Sequence, residues 1–253
     1  MTNKTSSSAW IVRFKPNPRA RLRLFCFPHA GGGASLFRAW ADELPAEIEV
    51  CAIQPPGREM RLQEQPFTRL EPLVEQLADV VAPYVTRPFA FFGHSLGALV
   101  CFELARRLRN QQVAAPTQLF IAARAAPHLP REEPVLHQLS DADLVSEICR
   151  RYDGIPQAVR QEAELMKRLL PAVRADLTVL ETYTHIPGEP LECPFVAFGG
   201  SNDHAVRPEQ LEPWRDHTRG PFTLHLLPGN HFFINSSRAM LLQAVMQSLS
   251  AVL

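Results

Sequence analysis

Pro88-Phe89-Ala90-Phe91-Phe92-Gly93-His94-Ser95-Leu96-Gly97-Ala98 joins an apolar run to a glycine-framed serine and then to a helical pattern that continues to Asn110. The run before Gly93 shows no polar alternation, as expected of a strand covered on both faces. A sharp strand-to-helix turn leaves no room for side chains at its flanks, hence Gly93 and Gly97. It lifts the Ser95 hydroxyl above the sheet and places it at a helix N-terminus, where developing negative charge is favoured. Gly-x-Ser-x-Gly also recurs by chance, and a serine in an ordinary glycine-rich turn is the plain alternative. The strand before and the helix after make this one a candidate nucleophile elbow.

Working outward, further apolar runs at Leu22–Phe27, Ile48–Ile53, Pro88–Phe92, Gln118–Ala122, Pro194–Phe198 and Phe222–Leu227 read as buried parallel strands, with Trp10–Phe14 as an added edge strand. Helix-like stretches at Ser35–Leu44, Leu70–Val85, Leu96–Asn110, Pro208–His217 and Ser237–Leu253 separate them. This alternation predicts an α/β fold with a mostly parallel, doubly wound sheet, in one domain over residues 1–253. From about Pro127 to Pro190 the rhythm breaks: no strand is evident, and Leu139–Tyr152 and Gln157–Thr182 look helical. Ser140 suits an N-cap ahead of Asp141 and Asp143, and Pro171 is expected to kink or split the second helix. A helical lid over one end of the sheet is the reading preferred here, a packed structural insertion the alternative.

The 253 residues are 46% hydrophobic and 21% charged, an ordinary globular composition, and 26 basic and 26 acidic side chains cancel to a formal net charge of +0. No global field favours nucleic acid or an anionic membrane, so neither is expected as a partner. Met1 to Ser8 is polar and reads as a disordered tail rather than a targeting segment, and no run has the length of a transmembrane helix. The five scattered cysteines, Cys26, Cys51, Cys101, Cys149 and Cys193, form no Cys-x-x-Cys pair and suit reduced thiols in a cytoplasmic protein. The histidines show no metal-ligand spacing, so no metal is expected.

A serine hydroxyl needs a base, and the base needs an orienting acid. In the α/β-hydrolase fold these follow the nucleophile in the order acid, then histidine. His231 lies in the loop leaving the last strand, whereas His225 is inside that strand and His217 ends a helix pattern. Strand Pro194–Phe198 runs into Gly199-Gly200-Ser201-Asn202-Asp203-His204, which places Asp203 as the acid. A solvated turn carboxylate is its alternative reading. The preceding strand ends in Ala122-Ala123-Arg124 and offers no carboxylate, while Asp141, Asp143, Asp153 and Asp176 fall in the insertion. An oxyanion hole is expected from the backbone N–H groups of Leu96 and Ala30, the latter in the glycine-rich Pro28-His29-Ala30-Gly31-Gly32-Gly33 loop. His29 is expected to shape that loop rather than to move protons. The P-loop lysine and the spaced glycines of a dinucleotide site are absent from it.

With these segments in place, the chain resembles the type II (editing) thioesterases that accompany nonribosomal peptide and polyketide synthases. The resemblance rests on Phe27-Pro28-His29-Ala30-Gly31-Gly32, Pro56-Gly57-Arg58-Glu59, Gly93-His94-Ser95-Leu96-Gly97-Ala98, Leu170-Pro171-Ala172-Val173-Arg174-Ala175-Asp176 and His231-Phe232-Phe233, in the family's order. It implies hydrolysis of stalled or aberrant acyl or aminoacyl thioesters from phosphopantetheine arms, with Ser95, Asp203 and His231 as the catalytic set. It further implies acyl or peptidyl carrier-protein domains as partners, no resident cofactor, and a cytoplasmic monomer. Because carrier proteins are often acidic, Arg58 with Arg61, or Arg150 with Arg151, are candidate docking pairs, a solvated helix face being the alternative. Two departures stand out: His204 where relatives often have proline, and Tyr152-Asp153-Gly154-Ile155-Pro156 in place of a glycine-pair turn. The rival readings are a medium-chain acyl thioesterase, a general carboxylesterase, or a catalytically silent synthase-binding scaffold.

Overall fold

The computed structural model describes residues 7–132, 134–154, 160–250 and 252. Seven strands form one sheet: β1 (Ile11–Val12), β2 (Leu22–Phe27), β3 (Ile48–Ile53), β4 (Phe89–His94), β5 (Gln118–Ala122), β6 (Phe195–Gly200) and β7 (Phe222–Leu227), in the order β1-β3-β2-β4-β5-β6-β7. β1 pairs antiparallel with β3, and every other pairing is parallel. This is the doubly wound sheet of the α/β-hydrolase fold. All residues of β2 to β6 are buried, which is why their sequences are mainly apolar, the charged exceptions Arg23 of β2 and Glu49 of β3 pairing with each other at 2.9 Å. β7, at the edge, is largely half-exposed.

Long helices α1 (Leu70–Val81) and α2 (Leu96–Asn110) cover one face, where their Leu, Val and Ala residues pack against Phe25, Phe89 and Phe91. The opposite face is closed by helix α5 (Arg238–Leu249) together with Phe37 and Trp40 against Phe92, Phe120 and Phe198. The chain leaves β2 toward β3 and then returns to β4 on the other side of β2. The loops after β2 and β4 therefore diverge at a switch point, where α/β sheets form their clefts.

Several boundaries differ from expectation. β4 and β6 each start one residue later and end two residues later than read from sequence. Ser35–Leu44 resolves into a 3-10 turn, Ala34–Phe37, and a short helix, Trp40–Glu43. α1 stops at Val81, and Ala82–Tyr84 continues as a 3-10 turn around Pro83, which cannot donate to the helix ladder. Pro208–His217 likewise divides into Pro208–Leu211 and a 3-10 segment, Glu212–His217, with Pro213 near its start. The expected tail Met1 to Ser8 falls outside the described residues up to position 6, while Ser7–Trp10 forms a helical turn.

Between β5 and β6 the insertion supplies α3 (Asp141–Tyr152) and α4 (Ala163–Thr182). Ser140 caps α3, its Oγ accepting from the Asp143 N–H at 3.2 Å. The expected start of the second helix at Gln157, and Ile155 and Pro156 of the lid turn, lie outside the described residues. Pro171 does not split α4, which runs through it as one helix. Leu170, Ala172 and Val173 around it are buried, and that packing offsets the missing ladder bond. The two helices share a small core of Leu144, Ile148, Leu170, Val173 and Leu177.

Candidate active site

β4 ends at His94 and α2 begins at Leu96, so Ser95 alone makes the turn. Its backbone is held at φ 54° and ψ −109°, a strained conformation for a residue with a side chain. The Ser95 N–H donates to the Ala122 carbonyl at 2.8 Å, fixing the turn against β5. A Cβ at Gly93 would lie 2.2 Å from the Gly97 carbonyl oxygen, and one at Gly97 would lie 2.1 Å from that of Phe27. Both flanks thus require glycine, as the sequence implied.

Asp203 and His231 come together from the loops after β6 and β7. His231 Nδ1 lies 2.8 Å from Asp203 Oδ2, with side chains 5% and 0% exposed. The other carboxylate oxygen accepts from the N–H groups of Ala205 at 2.8 Å and Val206 at 3.1 Å. A carboxylate with two backbone donors acts here as acceptor, so Nδ1 carries the imidazole proton and Nε2 keeps its lone pair. Asp203 is therefore no solvated turn residue.

His94 supports His231 from below. Its Nε2–H donates to the His231 carbonyl at 2.8 Å, and its Nδ1 is buried without a partner. Burial, with His231 and His29 nearby, holds the His94 pKa well below the usual histidine range, so the ring is neutral. Tyr152, at the end of α3, packs its ring 4.9 Å from that of His231.

The loop after β2 is clamped from two sides. His29 Nδ1 donates to the Ala30 carbonyl at 3.0 Å, and its ring packs edge-on against Phe232 at 5.0 Å. Burial lowers its pKa, which suits the loop-shaping role expected for it. The Gly31 N–H donates to Asp176 Oδ2 of α4 at 2.7 Å. Arg58 grips both Asp176 oxygens, one at 3.0 Å, and donates to the Gly32 carbonyl at 3.3 Å. Asp176 thus serves the loop and stands apart from the Asp203–His231 pair.

Ser95 and His231 line two cavities. One, of about 110 Å³, is walled mostly by apolar residues of the insertion, among them Ile148, Leu169, Val173 and Leu177, together with Ala30 and Phe232. The other, of about 170 Å³, is more polar and includes Arg124, Arg131, Glu181 and Tyr183. Among the described residues, no group of three or more His, Cys, Asp or Glu is placed to hold a metal ion, and no helix is long and apolar enough to cross a membrane.

The candidate docking pairs are corrected. Arg58 and Arg61 are only 5% and 8% exposed. Arg58 is taken up by Asp176, and Arg61 by Glu64, the Gln54 carbonyl and the face of Trp10. Arg151 is half-buried and pairs with Glu147, and Arg150, though exposed, pairs with the same carboxylate. Neither pair forms an open basic patch. His225 stacks on Phe198, as suits a structural strand residue.

The sequence assigned no site role to His94, Tyr152 or Asp176, and placed Arg58 only in a candidate docking pair. One signal was present: Asp176 lies between the buried Val173 and Leu177 on α4, and a carboxylate there implies a buried partner.

A Thioesterase domain family model matches residues 22–252. The gramicidin S biosynthesis protein GrsT of Aneurinibacillus migulanus is 44% identical over 253 residues, covering 100% of this chain and 98% of that protein. Thioesterase PikA5 of Streptomyces venezuelae is 40% identical, covering 90% of this chain and 81% of that protein. Among solved structures, the type II thioesterase BorB from the borrelidin biosynthetic cluster superposes with a TM-score of 0.87 at 39% identity, covering 96% of this chain and 99% of that one. Its sheet, its strained serine turn and its likeness to these relatives along nearly the whole chain agree: the chain belongs to the thioesterase family and is a serine hydrolase of thioesters.

Proposed function

We propose that this enzyme is a type II editing thioesterase that removes aberrant or stalled acyl and aminoacyl groups from phosphopantetheine arms of carrier proteins in nonribosomal peptide or polyketide synthesis. The observation that carries this reading is the buried His231–Asp203 pair beside Ser95, on the wall shared by an apolar and a polar cavity. The full-length relatives supply the pathway context.

In this reading His231 Nε2 takes the Ser95 proton as the hydroxyl attacks the thioester carbonyl. The Ala30 and Leu96 N–H groups receive the oxyanion, each such donor being worth on the order of 10²–10³ in rate. The protonated imidazole returns its proton to the leaving pantetheine sulfur. His231 then activates a water that releases the acid from Ser95, while Asp203 holds the tautomer throughout. The chemistry uses side chains and backbone alone; phosphopantetheine arrives on the partner and leaves with it. The insertion acts as a lid over the acyl group. The protein works as a monomer in the cytoplasm with carrier-protein domains as partners, and with neither nucleic acid nor membrane.

Rates on one acyl group presented on a carrier protein, on coenzyme A and as a simple oxygen ester test this. Carrier-bound substrate should give the highest kcat/KM. Preference for the ester would replace the editing reading with a general carboxylesterase, and a coenzyme A preference with a free acyl thioesterase.

A further inference from the structure

Arg124 lies two residues past the end of β5, and three hydrogen bonds pin the backbone that leads to it. Ala122 accepts the Ser95 N–H, Ala123 donates to the Phe198 carbonyl at 2.9 Å, and the Arg124 carbonyl accepts from Trp214 Nε1 at 2.7 Å. Ala123 sits at φ 53°, a left-handed conformation that alanine adopts only under constraint. This bend directs the chain so that Arg124 lines the polar cavity shared by Ser95 and His231.

The side chain is half-buried and incompletely paired among the described residues. Its Nε is buried with no hydrogen-bond partner, and no described carboxylate pairs with its guanidinium. The neighbouring charges are already matched: Arg131 pairs with Glu181 at 2.9 Å, and Glu132 with Arg207 at 3.1 Å. Glu181 is further occupied by the N–H groups of Leu136 and His137. A half-buried guanidinium whose Nε is buried and unbonded is placed to be completed by a ligand in the cavity it lines.

We propose that Arg124 binds the amide carbonyl oxygens of the pantetheine arm, steering the arm into the polar cavity while the acyl chain enters the apolar one. This rests on the carrier-arm reading given above. The thioester carbon must sit at Ser95, so the two sides of the thioester have two cavities to occupy. Pantetheine carries amides close to its sulfur, and the apolar cavity walled by Ile148, Leu169 and Val173 offers them few partners. A guanidinium offers five N–H donors in a fixed fork, suited to successive carbonyls. Arg124 is in these terms a specificity residue for the thiol side of the substrate.

The test uses one acyl group, butyryl, on pantetheine, on N-acetylcysteamine (one amide) and on ethanethiol (none), with the wild-type enzyme and Arg124→Met. The variant should lose about ten- to a hundredfold in kcat/KM on butyryl-pantetheine, chiefly through KM. The loss should shrink on the N-acetylcysteamine ester and be smallest on the ethanethiol ester. The melting temperature should not fall, because the variant breaks no described ion pair. An equal loss on all three thiols, or a lowered melting temperature, would overturn the assignment and make Arg124 a support of the fold or the triad. A loss confined to acyl groups that carry their own carboxylate, such as succinyl, would also overturn it, placing Arg124 on the acyl side. If the wild type prefers pantetheine and Arg124→Met keeps that preference, Arg124 alone is misassigned. If the wild type shows no such preference, the carrier-arm reading itself fails.

Discussion

Arg58 and Asp176, 118 positions apart in sequence, meet as a buried two-point ion pair that ties helix α4 of the insertion to the loop carrying Ala30. Asp176 Oδ2, one of the two oxygens that meet Arg58, also receives the Gly31 N–H. One carboxylate therefore sets the position of the insertion and the conformation of the proposed oxyanion loop together.

Asp176→Ala should destabilise the protein by about 3–5 kcal/mol, since it strands the Arg58 charge in the interior. Combining Asp176→Leu with Arg58→Met should recover most of that stability, because no charge is then buried. Activity should stay at least tenfold down in the double variant, because the Gly31 N–H has lost its acceptor. Denaturant melts and kcat on a common thioester measure the two effects separately. Full activity in the stable double variant would show that the clamp does not position the loop.

Asp203→Asn should lower kcat by on the order of 10³–10⁴. An amide placed at Oδ2 leaves His231 Nδ1 without a fixed acceptor, so the tautomer with its lone pair on Nε2 is no longer selected. KM should change little. A kcat within tenfold of wild type would remove Asp203 from the proposed triad.

His217 lies in a group of histidines at the root of the insertion, with its Nε2 2.7 Å from His128 Nδ1 and its ring 5.2 Å from that of His185. Burial, with His128 and His185 adding to it, pushes the His217 pKa down to about 4. The unfolded chain binds a proton there near pH 6.5, and the folded protein does so only near 4. This site's contribution to stability is thus complete above pH 6.5 and declines as the pH falls from 6.5 toward 4. His217→Gln should flatten the drop in melting temperature across that window without abolishing it, since His29, His94 and His185 are also shifted down. An equally steep drop in the variant would place the acid sensitivity elsewhere.

The sheet was legible in the sequence because β2 to β6 are buried on both faces and so appear as apolar runs. The ends of β4 and β6 were not: Gly93, Gly199 and Gly200 read as turn residues, yet ladder pairing extends through them. The short 3-10 segments at Ala34–Phe37 and Glu212–His217 carry helix-like periodicity, and their tightness comes from packing and proline rather than composition. Ser95, Asp203 and His231 could be located because each follows a strand at the same edge of the sheet. The Arg58–Asp176 pair joins segments far apart in the chain, and nothing local in either announces the other. Arg124 follows a strand end without a carboxylate, and nothing local in its sequence marks the cavity it lines.

Covalent trapping asks whether Ser95, held in the β4–α2 turn, is the nucleophile. Treatment with a fluorophosphonate, followed by intact-mass measurement and peptide mapping, should show one adduct per chain on Ser95. Ser95→Ala should take up no label and lose hydrolysis of acyl-carrier substrate while melting at the wild-type temperature. An adduct on another residue, or turnover retained by Ser95→Ala, would contradict the account.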